Sequence, residues 1–304
     1  MSTRNKVRDL FAPTHNSRNR RRTHRRLGGA SIEPLEARAM MTVVLGDFNG
    51  DGYGGTAIGV PGEAIGSLSD AGAVNIIYGN YLAMTNTGDK IFHQPGAGYT
   101  GSGLLQGAAE PGEKFGAALA TADFDGDGYE DLAIGIPGED VGPIQDAGAV
   151  QILYGTSSGL SHNRNTLLHQ DSWRVVWNQE DTNGVDTAIE RCDNCGAALA
   201  AGDFNNDGVD DLAVGVPGED LGGILDAGAV NVLKGQANVG LTPSVGLFFH
   251  QDSNSGAQQV HNSSWKFDYF GSSLAVGDFN YDGNADLAIG VPGEDWGPPV
   301  TLAR

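Results

Sequence analysis

Residues 43 to 304 repeat themselves. The string Gly-Asp-Phe-Asn-Gly-Asp-Gly starts at Gly46, and close copies surround Asp123, Asp203 and Asp278, so the leading aspartates stand 76, 80 and 75 residues apart. Twelve residues after each leading Asp comes Gly-x-Pro, at Gly59, Gly135, Gly215 and Gly290. Asp-Ala-Gly-Ala-Val follows at Asp70, Asp146 and Asp226, then Tyr78-Gly79, Tyr154-Gly155 and Lys234-Gly235. Eight residues before the leading Asp sits Phe115-Gly116, Cys195-Gly196 or Phe270-Gly271. A chain that repeats at such a period folds as stacked supersecondary units, each burying its apolar face on a neighbour.

Each unit reads as four short strands broken by turns. In the second, these are Ala118 to Phe124, Asp131 to Pro137, Ala149 to Tyr154 and Thr166 to His169. Short runs of Ala, Val, Ile and Leu are closed by Gly or Pro, and none keeps a helical period, so little helix is expected. Four short strands per repeat is the pattern of a propeller blade. The expected fold is all-β: a β-propeller of about three and a half four-stranded blades, incomplete or part of a longer propeller. Its units span about 43–114, 115–194, 195–269 and, partially, 270–304. The fourth unit supplies only two strands, Ser272 to Phe279 and Ala285 to Pro292. An exposed sheet edge there would favour self-association. The stretches 80–114, 156–194 and 236–269 share little sequence and read as surface loops on a fixed scaffold.

The chemistry sits in Asp-x-[Asp/Asn]-x-Asp-Gly. Calcium takes six to eight oxygens from alternate positions of such a loop, with Gly at the sixth for a sharp turn. Positions one, three and five are Asp47, Asn49, Asp51; Asp123, Asp125, Asp127; Asp203, Asn205, Asp207; and Asp278, Asn280, Asp282. Position seven, offering its carbonyl, is Tyr53, Tyr129, Val209 or Asn284. Position nine is Asp131, Asp211 or Asp286, but Gly55 in the first loop, which should bind most weakly. Position twelve is Ile58, Ile134, Val214 or Ile289, where an EF-hand needs a bidentate Glu, so these are strand-to-strand turns rather than EF-hands. Metal-free Asx turns are the plainer alternative, but they do not call for three carboxylates crowded into five residues. Three to four Ca2+ sites are expected.

The order Phe-Gly, Asp-x-Asp loop, Gly-x-Pro resembles the FG-GAP repeat of the integrin α-subunit β-propeller, and Ala-Gly-Ala-Val with Tyr-Gly resembles bacterial secreted FG-GAP proteins. The resemblance covers residues 43 to 295. It implies calcium in the loops, an extracellular setting and ligand recognition by propeller loops. The sequence departs where the first unit lacks Phe-Gly, where Cys195 replaces Phe, and where the fourth unit stops near Trp296.

Charge is divided unevenly. Of 18 Lys and Arg, ten lie in residues 1–42, which carry +7, while residues 43–304 carry −27. So acidic a body repels phosphate backbones, and nucleic acid is not an expected partner. No apolar run is long enough for a transmembrane helix. Residues 1–42 read as a basic, disordered leader without the apolar core of an ordinary signal peptide. Ile32-Glu33-Pro34-Leu35-Glu36-Ala37-Arg38 resembles a leader of large secreted or surface proteins of some bacteria. A secreted or cell-surface location is expected.

His93, His169 and His250 recur after the fourth strand, and Glu63, Glu139, Glu219 and Glu294 recur in Pro-Gly-Glu. A catalytic group is needed once, so both sets read as structural. Cys192 and Cys195 are expected to close a small local disulfide outside a reducing cytosol. The functional expectation is a non-enzymatic module for adhesion or for contact with an extracellular protein or glycan, with no catalytic residues. The alternative is a secreted hydrolase with its active site in the variable loops, above all the acidic stretch from Asp171 to Asp193.

Overall fold

A computed structural model describes residues 41–81, 88–96, 105–173, 193–255, 258–259 and 263–294. The first sheet holds β1 (Val43–Gly46), β2 (Gly55–Val60), β3 (Ala73–Ile77) and β4 (Lys90–Phe92). The second holds β5 (Ala118–Ala122), β6 (Asp131–Ile136), β7 (Ala149–Tyr154) and β8 (Ser161–Leu168), followed by a single helical turn, α1 (Gln170–Trp173). The third holds β9 (Ala198–Gly202), β10 (Asp211–Val216), β11 (Ala229–Lys234) and β12 (Thr242–Phe249). A two-residue ribbon, β13 (Asn254–Ser255) with β14 (Gln258–Gln259), precedes the last pair, β15 (Ser273–Gly277) and β16 (Asp286–Gly290). Within each sheet the strands pair antiparallel in chain order.

The register repeats with the sequence: Val74 pairs with Phe92 and Val150 with Leu168, each 76 residues on. First strands lie beside first strands, β1 by β5, β5 by β9 and β9 by β15, which is how blades of a β-propeller meet. The expected strands are present, with one correction. The outer strand of the second sheet starts at Ser161 rather than Thr166. Its first half, Ser-His-Asn-Arg-Asn, is polar because it is an outer edge with one side in water, so it read as loop.

The junction between sheets explains the repeated glycines. Phe115 N donates to Ala71 O at 3.0 Å, Cys195 N to Ala147 O at 3.0 Å, and Phe270 N to Ala227 O at 2.9 Å. The Gly of Asp-Ala-Gly sits directly against this contact: a Cβ on Gly72 would lie 2.3 Å from Phe115 O, and its φ is +87°. Likewise a Cβ on Gly59 would come within 2.1 Å of Gly116 O. Any side chain there would push the sheets apart, and only Gly adopts that φ without strain.

Cys195 is a free thiol, fully buried, and burial drives its pKa well up. The expected local disulfide is therefore corrected: the thiol packs in the core as the Phe of its sister repeats does. Cys192 lies outside the described residues, as do residues 1–40 and most of the stretch from Asp171 to Asp193.

Candidate metal loops and junction network

All four Asp loops close with the same hydrogen bonds. The first aspartate's Oδ1 accepts from the fifth-position amide, at 3.2 Å for Asp47 and Asp51, 3.1 Å for Asp123 and Asp127, 3.1 Å for Asp203 and Asp207, and 3.0 Å for Asp278 and Asp282. Its Oδ2 accepts from the glycine that follows, at 2.8 to 3.0 Å. The fifth-position carboxylate accepts from the amide of Tyr53, Tyr129, Val209 or Asn284. Each loop is therefore closed on its own carboxylates while the backbone turns through a glycine at positive φ.

The second loop is drawn tightest. Asp123, Asp125 and Asp131 bring carboxylate oxygens within 4.8 Å of one another. Asp131 is wholly buried, accepting from Phe124 N at 2.9 Å and Gly155 N at 2.8 Å, and burial pushes its pKa up to about 8. Burial also raises Asp127, with Asp125 and Asp123 adding repulsion. Oxygen-only donors, mutual repulsion and a glycine-assisted turn fit a hard divalent cation. In the third loop Asp211 accepts from Gly235 N at 3.0 Å and from Asn205 Nδ2, and in the fourth Asp286 accepts from Phe279 N at 2.9 Å. The first loop has Gly55 where those aspartates stand, and it draws together only Asp47, Asn49 and Asp51.

Arg164, on the outer strand β8, escaped sequence reading. Its Nη2 lies 2.6 Å from Asp125 Oδ2 and its Nη1 3.9 Å from Asp127 Oδ2, while its guanidinium stacks 4.5 Å from the Tyr154 ring centroid. It lies 39 residues from Asp125 in a polar run, and only the register places it there.

The repeated His-Gln and Pro-Gly-Glu strings meet across the junctions. Gln94 Nε2 donates to Glu139 Oε2 at 2.7 Å, and Gln170 and Gln251 make the same bond to Glu219 and Glu294. Each glutamine ends one sheet and each glutamate belongs to the next, so the working residue of His-Gln is the Gln. The Tyr-Gly tyrosines also reach forward: Tyr78 Oη accepts from Leu160 N at 3.0 Å and Tyr154 Oη from Leu241 N at 3.2 Å.

One further string was not singled out from sequence. Gly155-Thr156-Ser157-Ser158-Gly159 has the Gly-x-Ser-x-Gly spacing of a hydrolase nucleophile elbow. That elbow joins a strand to a helix, whereas here the five residues turn between antiparallel β7 and β8, with Gly159 N bonded to Thr156 O at 2.7 Å.

The FG-GAP repeat model matches residues 115–153, 196–233 and 270–301. Phosphatidylinositol-glycan-specific phospholipase D of Rattus norvegicus is 33% identical over 186 residues, 60% of this chain and 19% of that one. Integrin alpha-4 of Xenopus laevis is 33% identical over 190 residues, 61% of this chain and 15% of that one. The chain thus spans less than a fifth of the length of these relatives. A rhamnogalacturonan lyase of Bacillus licheniformis superposes with TM-score 0.40 at 14% identity, over 82% of this chain and 40% of that one, a likeness too loose to argue from. Matched by residue and by strand, the second, third and fourth units of this chain are FG-GAP repeats.

Proposed function

We propose that this chain is a calcium-binding FG-GAP propeller module that works outside the cell, holding a protein or glycan by contact rather than by catalysis. The observation that carries the reading is the convergence of Asp123, Asp125 and Asp131 on one point. The residues that would hold the ions are Asp123, Asp125, Asp127, Asp131 and the Tyr129 carbonyl, with their counterparts at Asp203, Asn205, Asp207, Val209 and Asp211, and at Asp278, Asn280, Asp282, Asn284 and Asp286. Asp47, Asn49, Asp51 and the Tyr53 carbonyl make the weakest set. Calcium supplies positive charge that lets clustered carboxylates stay ionised. The chain's residues shape the turn and anchor it: Asp131 ties its loop to Gly155 at the end of β7.

The test is thermal. Anything bound only to the native state raises its stability by linkage, so EGTA should lower the Tm by several degrees and calcium should restore it. An unchanged melt with no calcium by elemental analysis would sink the metal assignment. The relatives include an enzyme by name, phospholipase D, and the hydrolase alternative would be favoured by turnover of an ester or glycoside that Ser157→Ala abolishes. The basic segment 1–42 as an export leader, the unit limits, and self-association through an open blade edge belong to the same proposal.

A further inference from the structure

The space beside Tyr154 in the second unit is filled by two side chains. Asp131 accepts from the amide that follows the tyrosine, Gly155 N at 2.8 Å, and Arg164 lies across the ring and closes on Asp125. The two units run at a 76-residue offset, Gly46–Gly55 pairing as Ala122–Asp131 does and Ile76–Lys90 as Ile152–Thr166 does, so each counterpart stands 76 positions earlier in the sequence. Those counterparts are Gly55 and Gly88. At Gly88 no side chain fills the space, and a cavity of about 300 Å3 lies there, lined by Asn49, Asp51, Tyr78, Asn80, Ser157 and Ser158, with Gly79 and Gly88 in its wall.

Its volume is at the small end of ligand pockets, about the size of one sugar ring. Its chemistry is selective. Two amides, a carboxylate and two hydroxyls give donors and acceptors at short spacing. The neighbouring cation, Lys90, is engaged with main-chain carbonyls, Leu160 O at 2.7 Å and Ser158 O at 3.3 Å, and sits 5.8 Å over the Tyr78 ring. With Lys90 so engaged the described lining offers no cation to an anionic guest, and the polar lining disfavours an apolar one. The wall is set in advance: Tyr78 is held by Leu160 N at 3.0 Å, and Asn49 Nδ2 is bonded to Asp51 Oδ2 at 2.9 Å. Amides and hydroxyls at short spacing suit a ring that carries adjacent hydroxyls. Ser157 and Ser158 come from the second unit, so the site straddles a blade junction.

We propose that this cavity binds one neutral hexose-type ring, such as the terminal residue of a glycan. The inference rests on reading the chain as an interaction module, and names the ligand class for one of its surfaces. The experiment is saturation-transfer NMR on the full chain with the methyl α-glycosides of glucose, galactose and mannose and with N-acetylglucosamine, in calcium and in EGTA. At least one sugar should receive saturation. The signal should fall at least about tenfold in Ser158→Tyr, which adds bulk at the cavity while leaving the carbonyl that holds Lys90. It should persist in Arg164→Gln, at the equivalent place in the second unit. If Ser158→Tyr does not fold, Asn80→Leu decides the matter by the same loss. Silence from all four sugars, or a signal that Ser158→Tyr and Asn80→Leu leave intact, overturns the site. A melt that still responds to EGTA while every sugar is silent defeats the sugar site and leaves the calcium reading standing. A cavity-dependent sugar signal with an EGTA-insensitive melt does the reverse.

Discussion

Glu113 is almost wholly buried at the first junction, and among the described residues no cationic side chain balances it. Burial pushes its pKa up to about 8, the Glu110 amide offsets part of this, and Glu139, Glu110 and Asp140 add repulsion. Burial likewise lifts Glu139 to about 7, offset by its bond from Gln94. A carboxyl whose folded pKa exceeds its unfolded value makes the unfolded state lose its proton first. Stability therefore falls as pH rises from about 4.5 to about 8, and no further above that. Glu113→Gln removes this loss. The variant should be more stable than the parent by about 1–3 kcal/mol at pH 9 and within about 0.5 kcal/mol of it at pH 4, read from urea denaturation with calcium present. A variant–parent difference that is the same at both pH values would show that Glu113 is not held protonated. The partner glutamine is the converse case. Gln170→Ala strips Glu219 of its cross-junction donor, and leaving a buried acceptor short of a donor should cost about 1–3 kcal/mol in the same measurement.

Sheets in this chain are joined by a small, repeated set of contacts, which gives each strand a task beyond its own ladder. The third strand carries the tyrosine that holds the next sheet. Tyr154 is buried at the end of β7, and its hydroxyl accepts from Leu241 N just before β12. Tyr154→Phe keeps the ring and the Arg164 stacking but leaves a buried amide without its acceptor, a loss of about 1–2 kcal/mol. Amide exchange should quicken at Leu241 and in β12 more than in β6, and equal protection in both would contradict the role. The third unit has Lys234 where the tyrosine stands, so this forward tie is made at the first two junctions, by Tyr78 and Tyr154.

At the scale of the whole molecule, one residue reports what covers each blade. The Phe after the leading Asp is fully buried at Phe48 and Phe124, partly buried at Phe204 and 58% exposed at Phe279. At the other end, Val43 of β1 is 54% exposed, whereas its counterpart in β5, Leu119, is 5% exposed against the first sheet. The last sheet and the first thus present unlike apolar faces of the kind that pack together at the three internal junctions. Contact between unlike faces is heterologous and adds copies head to tail. Light scattering should show a mass that rises with protein concentration, and Phe279→Asp should suppress that rise. Hydrogen exchange should also be faster in β15 and β16 than in β5 and β6. A concentration-independent monomer with equal protection in all four strands would overturn both expectations.

The repeat, the strand sequence and the closure of the Asp loops were legible in the chain because each is local: a turn needs its glycine, a strand its run of small apolar residues, and an Asp loop a side-chain oxygen within reach of its own amides. Asp-x-Asp-x-Asp-Gly closes on itself through bonds no more than five residues apart in all four copies. What the sequence could not disclose are contacts whose partners lie 39 to 87 residues apart: Arg164 on Asp125, Gln94 on Glu139, and Tyr154 on Leu241. Nothing near Arg164 in the chain marks it as a neighbour of an acidic loop, and nothing near Gly88 says that it walls a cavity with Ser157 and Ser158. Those meetings depend on how one sheet is registered and then laid against the next. Packing between blades decides that, and no property of a single residue or its near neighbours carries it.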